Sequence, residues 1–150
     1  MEGPAGGDQG GLLLGRQTPV ALEYAPQLLY AIPRNTARQQ LGLTEPAPFH
    51  GVDLWHAYEM SWLDQAGKPV VRVGRFYVPA DSPNIVESKS FKLYLNSLNS
   101  KRFASDVAAR NLIVNDISAI AGARVTLELL PVDDVSLVGS SLTGECLDDL

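Results

Sequence analysis

Apolar residues fall into two kinds of rhythm along this chain, strand-like in residues 52–78 and 125–129 and helix-like from about 88 to 121. Residues 52–63 carry Leu54, Trp55, Tyr58, Met60 and Trp62, and residues 70–78 carry Val70, Val71, Val73, Phe76, Tyr77 and Val78. The intervening Asp64-Gln65-Ala66-Gly67-Lys68-Pro69 has turn chemistry, so the two runs predict a β-hairpin. Pro, Asp and Ser between residues 79 and 84 predict a loop. Phe91, Tyr94, Leu95 and Leu98 then recur at helical spacing, with Ser88 as the expected N-cap. A second helix is expected from about Ser105 to Ala121, with Val107, Ala108, Leu112, Ile117, Ile120 and Ala121 as its apolar stripe and Gly122 as its stop. Val125, Leu127 and Leu129 alternate with Thr126 and Glu128, the pattern of a strand with one wet face.

Strand, strand, helix, helix, strand is the order of an α+β layer, an antiparallel sheet with two helices packed on one face. The flanks are less regular. Pro19, Pro26, Pro33, Pro46 and Pro48 punctuate residues 15–48, which are therefore expected to wrap the domain irregularly. Residues 1–11 are glycine-rich and carry Glu2 and Asp8 where a signal peptide would be cationic; a flexible N-terminal arm is expected there. Residues 12–150 form the expected single module. Its last stretch, residues 133–150, is acidic and holds no clear strand, so a fourth strand is expected to be missing or incomplete, as in a module cut short.

Length and composition narrow the function classes. With 150 residues the chain can bury one core. A net charge of −5 with no basic run argues against direct contact with nucleic acid. Leu12-Leu13-Leu14 is far short of the roughly 20 apolar residues that span a bilayer, so no membrane segment is expected. One cysteine, Cys146, allows neither an internal disulfide nor a sulfur-rich metal site, which fits a cytoplasmic, reducing setting.

The densest chemistry lies in Glu87-Ser88-Lys89-Ser90-Phe91-Lys92-Leu93-Tyr94-Leu95-Asn96, where a carboxylate, hydroxyls and ammonium groups meet a helix start. Elsewhere the signals are bland. His50 and His56, with Asp53 or Glu59, lack zinc-like spacing and sulfur partners, so no metal site is expected. Asp133, Asp134, Glu145, Asp148 and Asp149 lack the pattern of a calcium loop and read as a solvated tail. Asp148 and Asp149 beside Cys146 disfavour its thiolate, so it is expected to be a buried or inert cysteine. Trp55, Tyr58 and Trp62 could stack a flat ring but are expected to serve the core or an interface.

The segment from Glu87 to Asn96 resembles the signature of the nitrile reductases that convert 7-cyano-7-deazaguanine to 7-aminomethyl-7-deazaguanine with NADPH, in the queuosine branch of tRNA modification. Three further segments are similar to the long, two-module form: Pro48-Phe49-His50-Gly51-Val52-Asp53-Leu54-Trp55, Tyr58-Glu59-Met60-Ser61-Trp62-Leu63 and Gly144-Glu145-Cys146-Leu147-Asp148-Asp149. The resemblance implies a tunnelling fold, two strands, two helices and two more strands, with modules joined edge to edge around a channel. It implies that Val86, Glu87 and Ser88 contact the substrate and that Ser88 and Lys89 contact NADPH. One ionised carboxylate can accept both parallel donors of a guanine-like edge, and a helix start beside a lysine suits a phosphate. In this family a cysteine attacks the nitrile to give a thioimide and an aspartate supplies protons as two hydrides arrive. In the long form both belong to the C-terminal module, so no catalytic residue is expected in this fragment, which alone should be inactive. The implied partners are 7-cyano-7-deazaguanine, the C-terminal module of the same polypeptide and a second copy in a homodimer. The competing reading is a non-catalytic tunnelling-fold assembly module.

Overall fold

The computed structural model describes residues 21–43, 46–139 and 144–148. The expected arm, Leu12–Leu14 and Asp149 lie outside them. Strand β2 (Val52–Leu63) and strand β3 (Pro69–Pro79) form the expected hairpin, antiparallel from Val52 opposite Pro79 to Leu63 opposite Pro69. Strand β5 (Thr126–Leu130) adds to the other side of β3, giving a three-stranded antiparallel sheet in the order β2-β3-β5. Helices α2 (Ser88–Asn96) and α3 (Asp106–Ala121) cover one face. The α+β expectation therefore holds.

Alternation along β2 is interrupted between Ala57 and Met60, where a bulge shifts the register. Trp55 and Ala57 point toward the helices before it, and the buried Met60 and Trp62 after it. Tyr58 and Glu59 are consecutively exposed at the irregularity. Opposite Ala57 stands Gly74, and a Cβ there would lie 2.4 Å from the Met60 sulfur. The glycine makes room for the thioether.

The core gathers Trp62, Phe76, Tyr94, Leu98, Ile113, Ile117 and Leu127 between sheet and helices. Phe91, Tyr94, Leu95 and Leu98 are all buried, as their spacing predicts. In α3 the stripe is rotated from the expected one: Ala109, Ile113, Ile117 and Ala121 are fully buried at four-residue intervals, whereas Val107 is 58% exposed. Leu112 and Ile120 pack at the margin. The periodicity was compatible with either stripe, and contact with the sheet selects the one centred on Ile113. Gly122 ends the helix at φ 70°, a left-handed C-cap where its lack of a Cβ removes the strain.

One feature departs from the sequence reading. The proline-rich wrapping segment is partly regular: strand β1 (Ala31–Pro33) leads into helix α1 (Arg34–Gln40). β1 pairs antiparallel with a short strand β4 (Asn84–Val86), outside the main sheet. After β5, where the sequence showed no clear strand, none follows among the described residues. The chain instead makes a 3-10 turn, Val135–Leu137, and the Arg75 guanidinium on β3 donates to both the carbonyl and the hydroxyl of Ser136 at 2.8 Å.

Candidate functional site

The segment that links β4 to α2 carries every residue for which the sequence implied a binding role. Val86 ends β4 and is buried, Glu87 follows at 2% exposure, Ser88 is exposed and Lys89 is partly buried. The helix opens one residue earlier than expected. Glu87, not Ser88, is the N-cap, its carboxylate accepting from the amides of Lys89 at 3.0 Å and Ser90 at 2.6 Å. Those amides have no partner inside the helix, so a carboxylate there answers both their hydrogen-bonding need and the positive end of the helix dipole.

Ser90, left without a role by the sequence, fixes this corner. Its buried hydroxyl donates to the Glu87 carbonyl at 2.8 Å and accepts from the Tyr30 amide at 3.1 Å. The Glu87 amide in turn donates to the Tyr30 carbonyl at 2.8 Å. Glu87 is thus held at its carboxylate, its amide and its carbonyl. A buried carboxylate carries a large desolvation cost unless it is hydrogen-bonded in this way, and the same bonds remove its rotamer freedom.

Further along α2, the Ser97 hydroxyl donates to the Tyr94 carbonyl at 2.6 Å and accepts from the Ala25 amide at 3.1 Å. The phenols of Tyr24 and Tyr94 both donate to Asp116 Oδ2, at 2.7 and 2.6 Å. Burial, reinforced by the hydrogen bond to Asp116, pushes the Tyr24 phenol up to about 12 and raises Tyr94 as well. None of these long-range bonds has a local sequence signal; Ser90 and Ser97 on the apolar face of a helix were the one visible hint.

Beside this corner, between α2 and β2, lies a groove of about 410 Å³. Its floor is Trp55, Ala57, Phe91 and Leu95, with the Trp55 and Phe91 rings edge to face at 5.9 Å between centroids. Ser88, Lys92 and Asn96, one helical turn apart on α2, share its rim with His56, Tyr58 and Glu59 from the bulged strand. An apolar floor with a few polar groups on the rim suits a small flat ligand. The expected aromatic trio is divided: Trp55 and Tyr58 line the groove, whereas Trp62 is a core residue at 1% exposure.

The other candidates separate. His56 stacks on Tyr58 and accepts from the Arg75 guanidinium at 3.2 Å, while His50 lies near α1, away from it. Among the described residues no group of three or more His, Cys, Asp or Glu side chains is placed to hold a metal ion. Cys146 is exposed, so of the two expected alternatives, buried or inert, the buried one is removed. No helix of the described residues is long and apolar enough to cross a membrane.

The family model described as nitrile reductase, 7-cyano-7-deazaguanine-reductase N-term, matches residues 21–129. The chain belongs to that family. Similar curated proteins carry the name NADPH-dependent 7-cyano-7-deazaguanine reductase: one from Chromohalobacter salexigens is 50% identical over 91% of this chain, one from Burkholderia cenocepacia 51% over 91%, and one from Teredinibacter turnerae 50% over 95%. The chain spans about half the length of these relatives, 50%, 50% and 51% respectively. Of the residues given an implied role by the sequence, Ser88 alone lines the groove, and Val86, Glu87 and Lys89 lie at the corner beside it.

Proposed function

We propose that this chain is the N-terminal half of an NADPH-dependent 7-cyano-7-deazaguanine reductase, acting in tRNA queuosine biosynthesis and supplying substrate and cofactor contacts but not the nucleophile. The observation that carries the reading is the family match across residues 21–129 in a chain half as long as its relatives. The remaining half would bring the cysteine that attacks the nitrile and the aspartate that supplies protons. A cytoplasmic, reducing setting suits a thiol nucleophile and a nicotinamide reductant, and a homodimer would complete the edge-to-edge packing of tunnelling modules.

Glu87 is the residue assigned to the base. Its two oxygens already accept one amide each. A carboxylate has about four lone-pair sites, so two remain for the paired N–H donors of a deazaguanine edge. The capping bonds orient those sites in advance, which lowers the ordering cost of binding. Val86 and Ser88 flank it through their backbone.

NADPH supplies hydride when bound. The residues present fit its anionic end only in part of the way that the sequence suggested. Two of the first amides of α2 serve Glu87, so a phosphate would rely on the exposed Ser88 hydroxyl and the Lys89 ammonium rather than on an open helix terminus. Ser88 also opens on the groove, whose apolar floor could shelter a ring of the cofactor from water.

A second reading is favoured by the same capping bonds: Glu87 could be purely a structural cap in an assembly module. Glu87→Ser in the full-length enzyme separates the two, because serine is a strong N-cap but cannot accept a charged fork. The catalytic reading expects a melting temperature near the parent's and kcat/KM for the nitrile reduced on the order of 100-fold. A parent-like kcat/KM would leave only the structural cap.

A further inference from the structure

Deepening the reading of Glu87 given above, we infer that Arg34 is a positioning residue for substrate binding, acting through the short β1–β4 ladder that leads into Glu87. Two short strands paired alone are marginal in water, so this ladder needs an anchor to the rest of the fold. Its two ends are defined by backbone bonds: the Arg34 amide donates to the Pro83 carbonyl at 3.0 Å, and the Glu87 amide donates to the Tyr30 carbonyl at 2.8 Å. Between them Pro33 pairs with Asn84, Ile32 with Ile85 and Ala31 with Val86. Arg34 and Glu87 therefore close opposite ends of one ladder.

The Arg34 side chain joins this ladder to the main sheet. Its Nη2 pairs with Asp53 of β2, and its Nε donates to the buried Ser82 hydroxyl at 3.0 Å. Ser82 passes the connection on, its hydroxyl donating to the Asn84 carbonyl at 2.8 Å and its amide to the Pro79 carbonyl at 3.0 Å. With 12% of its side chain exposed, the guanidinium spans two partners, Asp53 and Ser82, in a fixed planar geometry, a task that a lysine cannot reproduce. The Asn84 side-chain amide, donating to the Ile120 carbonyl at 3.1 Å, ties the strand that presents Val86 and Glu87 to α3, while at the far end of the ladder the Arg34 side chain ties the same strand to β2, which lines the groove with Trp55 and Ala57. A shift there would move the carboxylate without removing it, and small misplacements of binding groups carry large kinetic effects.

Arg34→Lys keeps a cation for Asp53 and loses the fork to Ser82. In the full-length enzyme, steady-state kinetics with the nitrile and NADPH should give a KM for the nitrile raised on the order of tenfold, with kcat at saturation within about twofold of the parent. A residue that acts through Glu87 should also show non-additivity: in the Glu87→Ser background, Arg34→Lys should raise that KM no further. An unchanged KM, a full further increase in the Glu87→Ser background, or outright unfolding of the variant would each overturn the inference. A parent-like KM for Glu87→Ser alone would instead remove the reading of Glu87 beneath it, so the two failures are told apart.

Discussion

Helices α2 and α3 lie on the same face of the sheet and open in opposite ways. α3 begins at Ser105, an exposed N-cap with extended backbone whose side chain accepts from the Ala108 amide at 3.2 Å. α2 begins at Glu87, buried, with both oxygens engaged and its main chain bonded to Tyr30 and Ser90. Capping alone requires only the first arrangement, since a short side chain such as serine or aspartate does it best. A longer, charged and desolvated cap held from three directions exceeds that requirement. On the proposed reading, the difference separates a helix that builds the module from a helix that also presents a binding group.

The largest test of the comparison lies at the centre of α3. Ile113 is completely buried against the sheet, and Ile113→Ala should lower unfolding free energy by about 2–5 kcal/mol through lost burial and the cavity left behind. Denaturant unfolding measures this, and the KM for the nitrile in the full-length enzyme should stay near the parent's as long as the protein is folded. A matching rise in KM would mean that α3 takes part in the site and that the division between the helices is wrong.

An intermediate effect concerns the clasp that binds both helices to the N-terminal segment. The Tyr24 and Tyr94 phenols share Asp116, and burial first, the hydrogen bond second, raise both above the ordinary value of 10.0. A phenol with a raised folded value favours the protonated state in the fold. Its stabilising contribution is therefore complete below about pH 10 and is lost as pH climbs through about 12, where Tyr24 titrates. Urea melts between about pH 9 and pH 12 should show falling stability, and Tyr94→Phe should flatten that dependence. A slope unchanged by Tyr94→Phe would place the alkaline loss elsewhere.

How much of this was legible follows from how each feature is encoded. The hairpin, both helices and β5 were readable because burial of one face imprints a period of two or 3.6 on the residues. Three-residue strands such as β1 and β4 leave no period to read, and their pairing joins positions more than fifty residues apart, Ala31 with Val86. The stripe of α3 was misplaced toward Val107 because periodicity gives spacing but not the direction in which the sheet lies. The signature marked the corner proposed as the site. Its geometry was hidden because a serine is the default N-cap, and only the long-range bonds from Tyr30 and Ser90 reveal why the preceding glutamate takes that place.

The smallest expected effect is also the sharpest on the comparison. Ser105→Ala removes the acceptor for the Ala108 amide at an exposed helix end, where water can replace it, so the loss should be about 1 kcal/mol. Thermal melting of the full-length enzyme would read it as a shift of a few degrees, with kinetic constants for both substrates unmoved. On the proposed reading, Glu87→Ser should reverse that pattern, changing kinetics while the cap persists. Two caps on neighbouring helices would then respond in separate observables, one in stability and one in substrate affinity. Were Ser105→Ala to raise the KM for the nitrile as well, capping of either helix would suffice to disturb the site, and the special standing of the Glu87 corner would be lost.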